Sequence, residues 1–450
     1  AATPDPDSTV VNLDNVSASL GGKGVLWELF SVNEPSLRLY VELCAYSPYL
    51  CNILTSSPGM IDGLMDSLVL DKLPDRDFLD ATLRDLCHAA EDLNPILHAF
   101  RNDQQLRVGA RELLGKEDVR ATTTALSHIA EVCLNQIIDR EFHRLTAKFG
   151  RPLVGDGRRK GKPCELVVLA MGKFGGLEMN YHSDLDLVFL FEAEGQTDAP
   201  ASTATSNQHF FSELGQRIIK TASRLSPYGR LYEVDVRLRP TGRSGALAIS
   251  LDEFTRYFAE GQGQLWERQA LCKARVMHGS KRAAGQALRA VAHAAFDHRW
   301  RRSDASEVRH MRHRLEETAS EQDLKRGAGG IVDVEFLVQM LQLKHGRQIP
   351  GIRTPNTLDA LSRLREAGLL PDDPATKLDR GYRGLRGIEG RLSLMNATQR
   401  NRLPSDPTEL SKLAHLLKYP DADALLADFD RITRETRQLF NDAFDAAERS

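Results

Sequence analysis

MGKFGGLEMNYHSDLDL, residues 171–187, joins the end of one strand to the start of another through a glycine-rich turn. Glycines at 172, 175 and 176 let backbone approach a ligand closely, and N–H groups freed in such a turn form an anion-binding nest. Phosphate oxygens suit it. Asp184 and Asp186 stand two apart on a strand, so both carboxylates leave the same face and can share divalent cations. Alone, Asp-x-Asp at a strand start reads as a solvated edge, and it gains chemical meaning only from what surrounds it.

Upstream, the apolar run ELVVLAM (165–171) has the texture of a buried strand, preceded by the basic segment GDGRRKGKP (155–163). Downstream, DLDLVFLFE (184–192) is a second strand with an acidic start, and residues 207–224 carry helical spacing through Phe210, Phe211, Leu214, Ile218 and Ile219. RLYEVDVRLRP (230–240) alternates with period two and predicts a third strand. Leu231, Glu233, Asp235, Arg237 and Arg239 share one, largely charged, face. Asp235 is thus expected to be the third metal-binding and catalytic carboxylate beside Asp184 and Asp186. Arg237 and Arg239 are expected to orient phosphates or, on a plainer reading, to pair with Glu233.

The flanks are helical. Leu37, Tyr40, Val41 and Cys44, then Leu126, Ile129, Cys133 and Ile137, recur at three- and four-residue intervals, and Pro35, Pro48, Pro58, Pro74 and Pro95 fall at expected helix boundaries. Further helices are predicted near 281–296, 304–320, 331–346, 356–367, 373–396 and 421–447. The fold class is α+β, mostly helical, with a small mixed-sheet domain (151–280) between an amino-terminal helical region (15–150) and a carboxy-terminal helical bundle (281–450). Residues 1–14 read as a flexible leader.

Hydrophobic residues make up 41% and charged residues 27%, which excludes a disordered chain. Lys and Arg (59) nearly balance Asp and Glu (62), so nothing suggests a surface that coats nucleic acid. Cysteines at 44, 51, 87, 133, 164 and 272 form no CxxC pair and predict buried reduced thiols. Without signal-peptide features or a membrane-length apolar run, a cytoplasmic, membrane-free location is expected. His310 and His313 lack metal-site spacing and read as a solvated helix face.

Gly172-Lys173 followed by Ser183-Asp184-Leu185-Asp186 resembles the signature of the DNA polymerase beta-like nucleotidyltransferase superfamily. More narrowly, LAMGKFGGLEMNYHSDLDLVF, YEVDVRLRPTGRSGAL, WERQALCKARV and GAGGIVDVEF look like four successive blocks of the glutamine synthetase adenylyltransferase family. The resemblance runs from about residue 25 to the end and includes FRNDQQLRVGARELLG (100–115).

The resemblance implies one half of a bifunctional parent enzyme that attaches AMP to a tyrosine of glutamine synthetase and removes it by phosphorolysis. Asp333-Val334-Glu335-Phe336 is similar to the block of the attaching, carboxy-terminal half. The implied reaction uses ATP and Mg²⁺, two ions in this reading, on Asp184, Asp186 and Asp235, with glutamine synthetase as partner and a PII signalling protein acting through the full-length enzyme. Phosphate-dependent AMP removal is the alternative, and a non-catalytic module binding glutamine synthetase or PII is a further one. Gly172, Lys173, Gly175, Gly176 and Ser183 are expected around the triphosphate, and Glu267 and Lys273 are expected to reach the nucleotide from a neighbouring helix. Gly327–Gly330 reads as a phosphate-binding helix start or a tight turn, and Asp333 and Glu335 as functional or interdomain residues.

Overall fold

The computed structural model describes residues 5–19, 24, 28, 30–31, 33–60, 72–320, 322–396, 398 and 400–449. Residues 1–4 of the expected leader and residues 61–71 of the expected helical region lie outside this range. The chain is mostly helical around one five-stranded sheet.

The amino-terminal helices are α1 (Pro6–Ser19), α2 (Glu34–Tyr46), α3 (Pro48–Ser56), α4 (Arg76–Cys87), α5 (Asn94–Leu113) and α6 (Val119–Phe149). Their starts follow local chemistry. Prolines occupy the first turns of α2, α3 and α5, where no amide is needed, and Asn33, Ser47, Asp75 and Asp118 cap α2, α3, α4 and α6 by accepting amides three residues on. Helix α1 corrects the expected flexible leader at residues 6–14. Asp5 accepts the Ser8 amide, and Val16 and Ser17 are buried, the latter sharing a hydrogen bond with the Tyr40 hydroxyl.

The sheet is built from β1 (Leu166–Ala170), β2 (Leu185–Phe191), β3 (Val234–Asp235), β4 (Ala248–Ser250) and β5 (Arg275–His278) in the order β3-β2-β1-β5, with β4 also on β2. β1 runs antiparallel to β2 and β5, whereas β3 and β4 run parallel to β2, so the sheet is mixed. A one-turn helix, α7 (Gly172–Gly175), follows β1, and α8 (Asn207–Ser223) covers one face. α9 (Leu251–Ala259) and α10 (Leu265–Leu271) flank the other.

Alternation along β1 and β2 divides the interior. Leu166, Val168, Leu187, Phe189 and Phe191 join the core of the amino-terminal helices and α8, while Val167, Leu169, Val188 and Leu190 join the core of the carboxy-terminal helices. The latter comprise α11 (Lys281–Phe296), α12 (Arg302–Glu316), α13 (Ile331–His345), α14 (Thr357–Glu366), α15 (Asp372–Met395), α16 (Pro407–Leu416) and α17 (Ala422–Arg449). Sequence periodicity missed α16. All six cysteines are free and buried, His310 and His313 are exposed, and no described helix is long and apolar enough to cross a membrane.

The third strand is the main departure from expectation. Only Val234 and Asp235 are extended in the sheet; Arg237 to Pro240 turn away, and Leu231, expected on the charged face, is buried. The physical reason lies at Asp235, whose Oδ1 accepts the Arg237 amide at 2.8 Å and closes a side-chain turn that competes with the ladder.

Candidate active site

β2 and β3 pair in parallel with Asp186 opposite Asp235, so the two carboxylates share one sheet face and Asp184 precedes Asp186 on it. This is the face of Val188 and Leu190, turned toward the carboxy-terminal helices. Three like charges at a sheet end raise one another's proton affinity. Asp186 is pushed up to about 7 by burial first, then by Asp235 and Asp184. Asp184, exposed, is raised by desolvation, then by Glu233 and Asp235.

Asp235 faces Arg237, whose Nε lies 2.9 Å from Oδ1 and 2.7 Å from Oδ2. Among the described residues no three His, Cys, Asp or Glu side chains stand at metal-ligand spacing. The donor chemistry nevertheless fits a hard cation: three carboxylates from adjoining backbone positions, two with raised proton affinity, one paired with an exposed guanidinium. Gly172 keeps room beside them. Its φ is +53°, and a Cβ there would come within 2.6 Å of Asp186 Oδ2.

The other expected ligand residues make contacts within the protein. Gly175 and Gly176 send their amides back to the carbonyls of Met171 and Gly172, and a Cβ at Gly175 would lie 1.8 Å from the Lys273 carbonyl oxygen. They serve close packing of the chain on itself, so the expected open nest is corrected to one helical turn. Lys173 is paired with buried Glu389 at 2.5 Å. Burial, and then Arg386 and Lys325 against the pull of Glu389, bring its ammonium down to about 8. Ser183 accepts the Asn180 amide at 2.8 Å and shapes the turn before Asp184.

Arg239 donates to the carbonyls of Val236 at 2.7 Å and Gly245 at 3.3 Å, bracing the loop after β3. Glu267 accepts the Gln264 amide at 2.7 Å and the Tyr257 hydroxyl at 3.0 Å, so it caps α10. Lys273 is buried between Glu178, Glu335 (3.1 Å) and Thr357 (3.2 Å). Desolvation alone would lower its ammonium, but Glu178 and Glu335 hold it above the ordinary range. Asp333 is buried in ion pairs with Arg312 and Arg437, and Glu335 joins Lys273 to the Tyr382 hydroxyl. Neither acid joins the three-carboxylate group. Glu178, Arg386 and Glu389, which carry this buried network, escaped the sequence reading because acids and arginines inside a helical pattern look like surface.

A family model described as glutamate-ammonia ligase adenylyltransferase matches residues 37–290, helices and sheet together. The chain belongs to this family. A second model, GlnD PII-uridylyltransferase, matches residues 297–444, from α12 into α17 of the carboxy-terminal helices. Among relatives named bifunctional glutamine synthetase adenylyltransferase/adenylyl-removing enzyme, that of Thioalkalivibrio sulfidiphilus is 34% identical over 415 residues, covering 88% of this chain and 42% of the relative. The Pseudomonas putida protein is 32% identical over 90% of this chain and 42% of its own length. The Bradyrhizobium diazoefficiens protein is 30% identical over 98% and 44%. This member of the adenylyltransferase family therefore spans less than half the length of these relatives.

Proposed function

We propose that this chain transfers AMP from ATP to a tyrosine hydroxyl of glutamine synthetase and releases pyrophosphate. The observation that carries the reading is the register that sets Asp186 opposite Asp235, with Asp184 on the same face and glycine at 172 beside them. Asp184, Asp186 and Asp235 would hold Mg²⁺, two ions in this reading, and the bound metal supplies positive charge to the phosphates and lowers the pKa of the incoming hydroxyl.

The protein's own residues then do three things. Asp235 would hold the cation in place of its pairing with Arg237, whose exposed guanidinium would then be available to phosphate oxygens. The Gly172 backbone leaves space for the α-phosphate beside Asp186. The carboxylate face accepts the tyrosine proton as the phenolic oxygen bonds to the α-phosphorus and the bond from that phosphorus to the β-phosphate oxygen breaks. Positioning and charge neutralisation account for the work. The similarity of residues 297–444 to PII-uridylyltransferase supports a PII protein as a partner of the full-length enzyme.

The test is incubation with α-labelled ATP, Mg²⁺ and unmodified glutamine synthetase. Label on the synthetase, lost in Asp184→Asn and Asp186→Asn variants that still fold, is expected. No label, with phosphate-dependent release of AMP from modified synthetase, would reverse the direction assigned.

A further inference from the structure

The loop from α7 to β2 delivers Asp184 to the carboxylate face, and the carboxy-terminal helices grip it along its length. Asn356 Nδ2 donates to the Gly176 carbonyl at 2.8 Å, the Thr357 amide donates to Glu178 Oε1 at 2.6 Å, and Arg386 donates to the Glu178 carbonyl. His182 Nε2 then meets the carbonyls of Ser393 and Asn396, each at 3.1 Å. Arg386, Glu389 and Ser393 recur at three- and four-residue intervals, so one face of α15 follows the loop from Lys173 to His182.

Tyr181 and His182 stand just before Ser183 and Asp184 and form two arms of a clamp. The Tyr181 hydroxyl donates to Glu112 Oε2 at 2.6 Å, and Glu112 is held in turn by Arg391, through an ion pair and through its carbonyl at 2.9 Å. Gly390 leaves room for that contact, since a Cβ there would come within 3.0 Å of Glu112 Oε1. The half-buried His182 ring meets Tyr49 edge-on, with centroids 4.8 Å apart. Facing two carbonyl oxygens, its Nε2 carries the hydrogen and satisfies acceptors that the end of a helix leaves open.

Between the arms the chain closes on itself. The Asn180 amide donates to Ser183 Oγ at 2.8 Å, and the Ser183 amide donates to the Asn180 carbonyl at 3.1 Å. The turn before Asp184 is therefore tied to the end of α15. Asp184 itself precedes β2 and is exposed, and among the described residues no hydrogen bond or ion pair holds its carboxylate. Its place is set through its backbone, by the Leu185 amide on the Glu233 carbonyl at 2.8 Å on one side and by the clamped turn on the other. Mg²⁺ demands near-ideal octahedral geometry, so a carboxylate that drifts is lost as a ligand.

We propose that His182 is a positioning residue for Asp184: its Nε2–H bonds to the end of α15 fix the metal-site geometry, although every metal-binding carboxylate comes from the sheet. This rests on the nucleotidyl-transfer reading above and adds a residue to it. His182 acts through the backbone of residues 183 and 184 and not on the reacting atoms.

His182→Phe and His182→Gln in the full chain separate the two things the side chain offers. Phenylalanine keeps a ring against Tyr49 and lacks the donor, whereas glutamine keeps a donor and lacks the ring. Calorimetric titration with Mn²⁺ should show about tenfold weaker binding in folded His182→Phe, and kcat for label transfer to glutamine synthetase should fall by at least about tenfold. His182→Gln should recover most of both losses. Mn²⁺ affinity and transfer unchanged in His182→Phe overturn the proposal. So does the reverse order, or an equal fall in both variants, which marks ring packing and not the hydrogen bonds. Should His182→Phe fail to fold, Tyr181→Phe deletes one hydroxyl of the same clamp: about threefold weaker Mn²⁺ binding is expected, and no change overturns the proposal. Asp184→Asn, assayed in parallel, separates the two levels. If it loses transfer while His182→Phe keeps Mn²⁺ affinity and transfer, only the histidine assignment falls; if it transfers normally, the site reading falls.

Discussion

Replacing Asp186 by asparagine should stabilise the metal-free protein while abolishing its response to divalent cations. Asp186 carries its proton up to about 7 against an ordinary 3.8, because burial and the charges of Asp235 and Asp184 oppose ionisation. Those two values bound the penalty of the ionised carboxylate at roughly 4 kcal/mol, and solvent at a part-exposed side chain reduces it to on the order of 2 kcal/mol. Between the two values the folded chain keeps a proton that the unfolded chain has released, so wild type loses stability as pH rises from about 4 to about 7. Asp186→Asn lacks that slope. Denaturant unfolding in EDTA from pH 4 to 8 should show the variant gaining progressively, to about 2 kcal/mol by pH 8. Mn²⁺ should then raise the midpoint of wild type and leave the variant unmoved. A variant less stable than wild type in EDTA at pH 8, or one that gains equally from Mn²⁺, refutes the reasoning.

Arg237→Ala removes an exposed partner of Asp235, so stability should change by no more than about 1 kcal/mol. Mn²⁺ affinity measured by calorimetry should rise, and a fall would show that the guanidinium assists the cation. Lys273→Met leaves Glu178 and Glu335 buried without their shared cation. A loss on the order of 3–5 kcal/mol is expected in denaturant unfolding, and a neutral result would show that the pair is dispensable. Glu389 is raised by burial but brought down to about 2 by Lys173 and Arg386. It contributes stability above its unfolded value of about 4.5 that is lost as pH falls toward 2, on the order of 3 kcal/mol. Glu389→Gln should flatten acid unfolding in that window; an unchanged acid profile counts against it.

Regular elements were legible because their signals are local. The apolar run at 166–170, the acidic start of β2 and the helix at Lys281–Phe296 all follow from periodicity and capping. What spacing could not show was decided by groups reaching across the fold or back onto the chain. Residues 230–240 alternate like a strand, yet Asp235 captures the Arg237 amide and ends it after two residues. Gly175 looks like a phosphate glycine but is required by the Lys273 carbonyl, ninety-eight positions on. Lys173 looks like a phosphate ligand, but its partner Glu389 is 216 positions away. Separations of that size leave no trace in spacing.

The sheet serves as a wall common to two cores, and this has a consequence for biosynthesis. When β1 and β2 have left the ribosome, Phe189 and Phe191 can already settle against the helices made before them. Val167, Leu169, Val188 and Leu190 cannot, because most of their packing partners are translated later. For that interval the nascent chain shows an oily strip beside three mutually repelling carboxylates. Ribosome-bound chains halted near residue 280 should therefore recruit holdase chaperones that release once the last helix has docked.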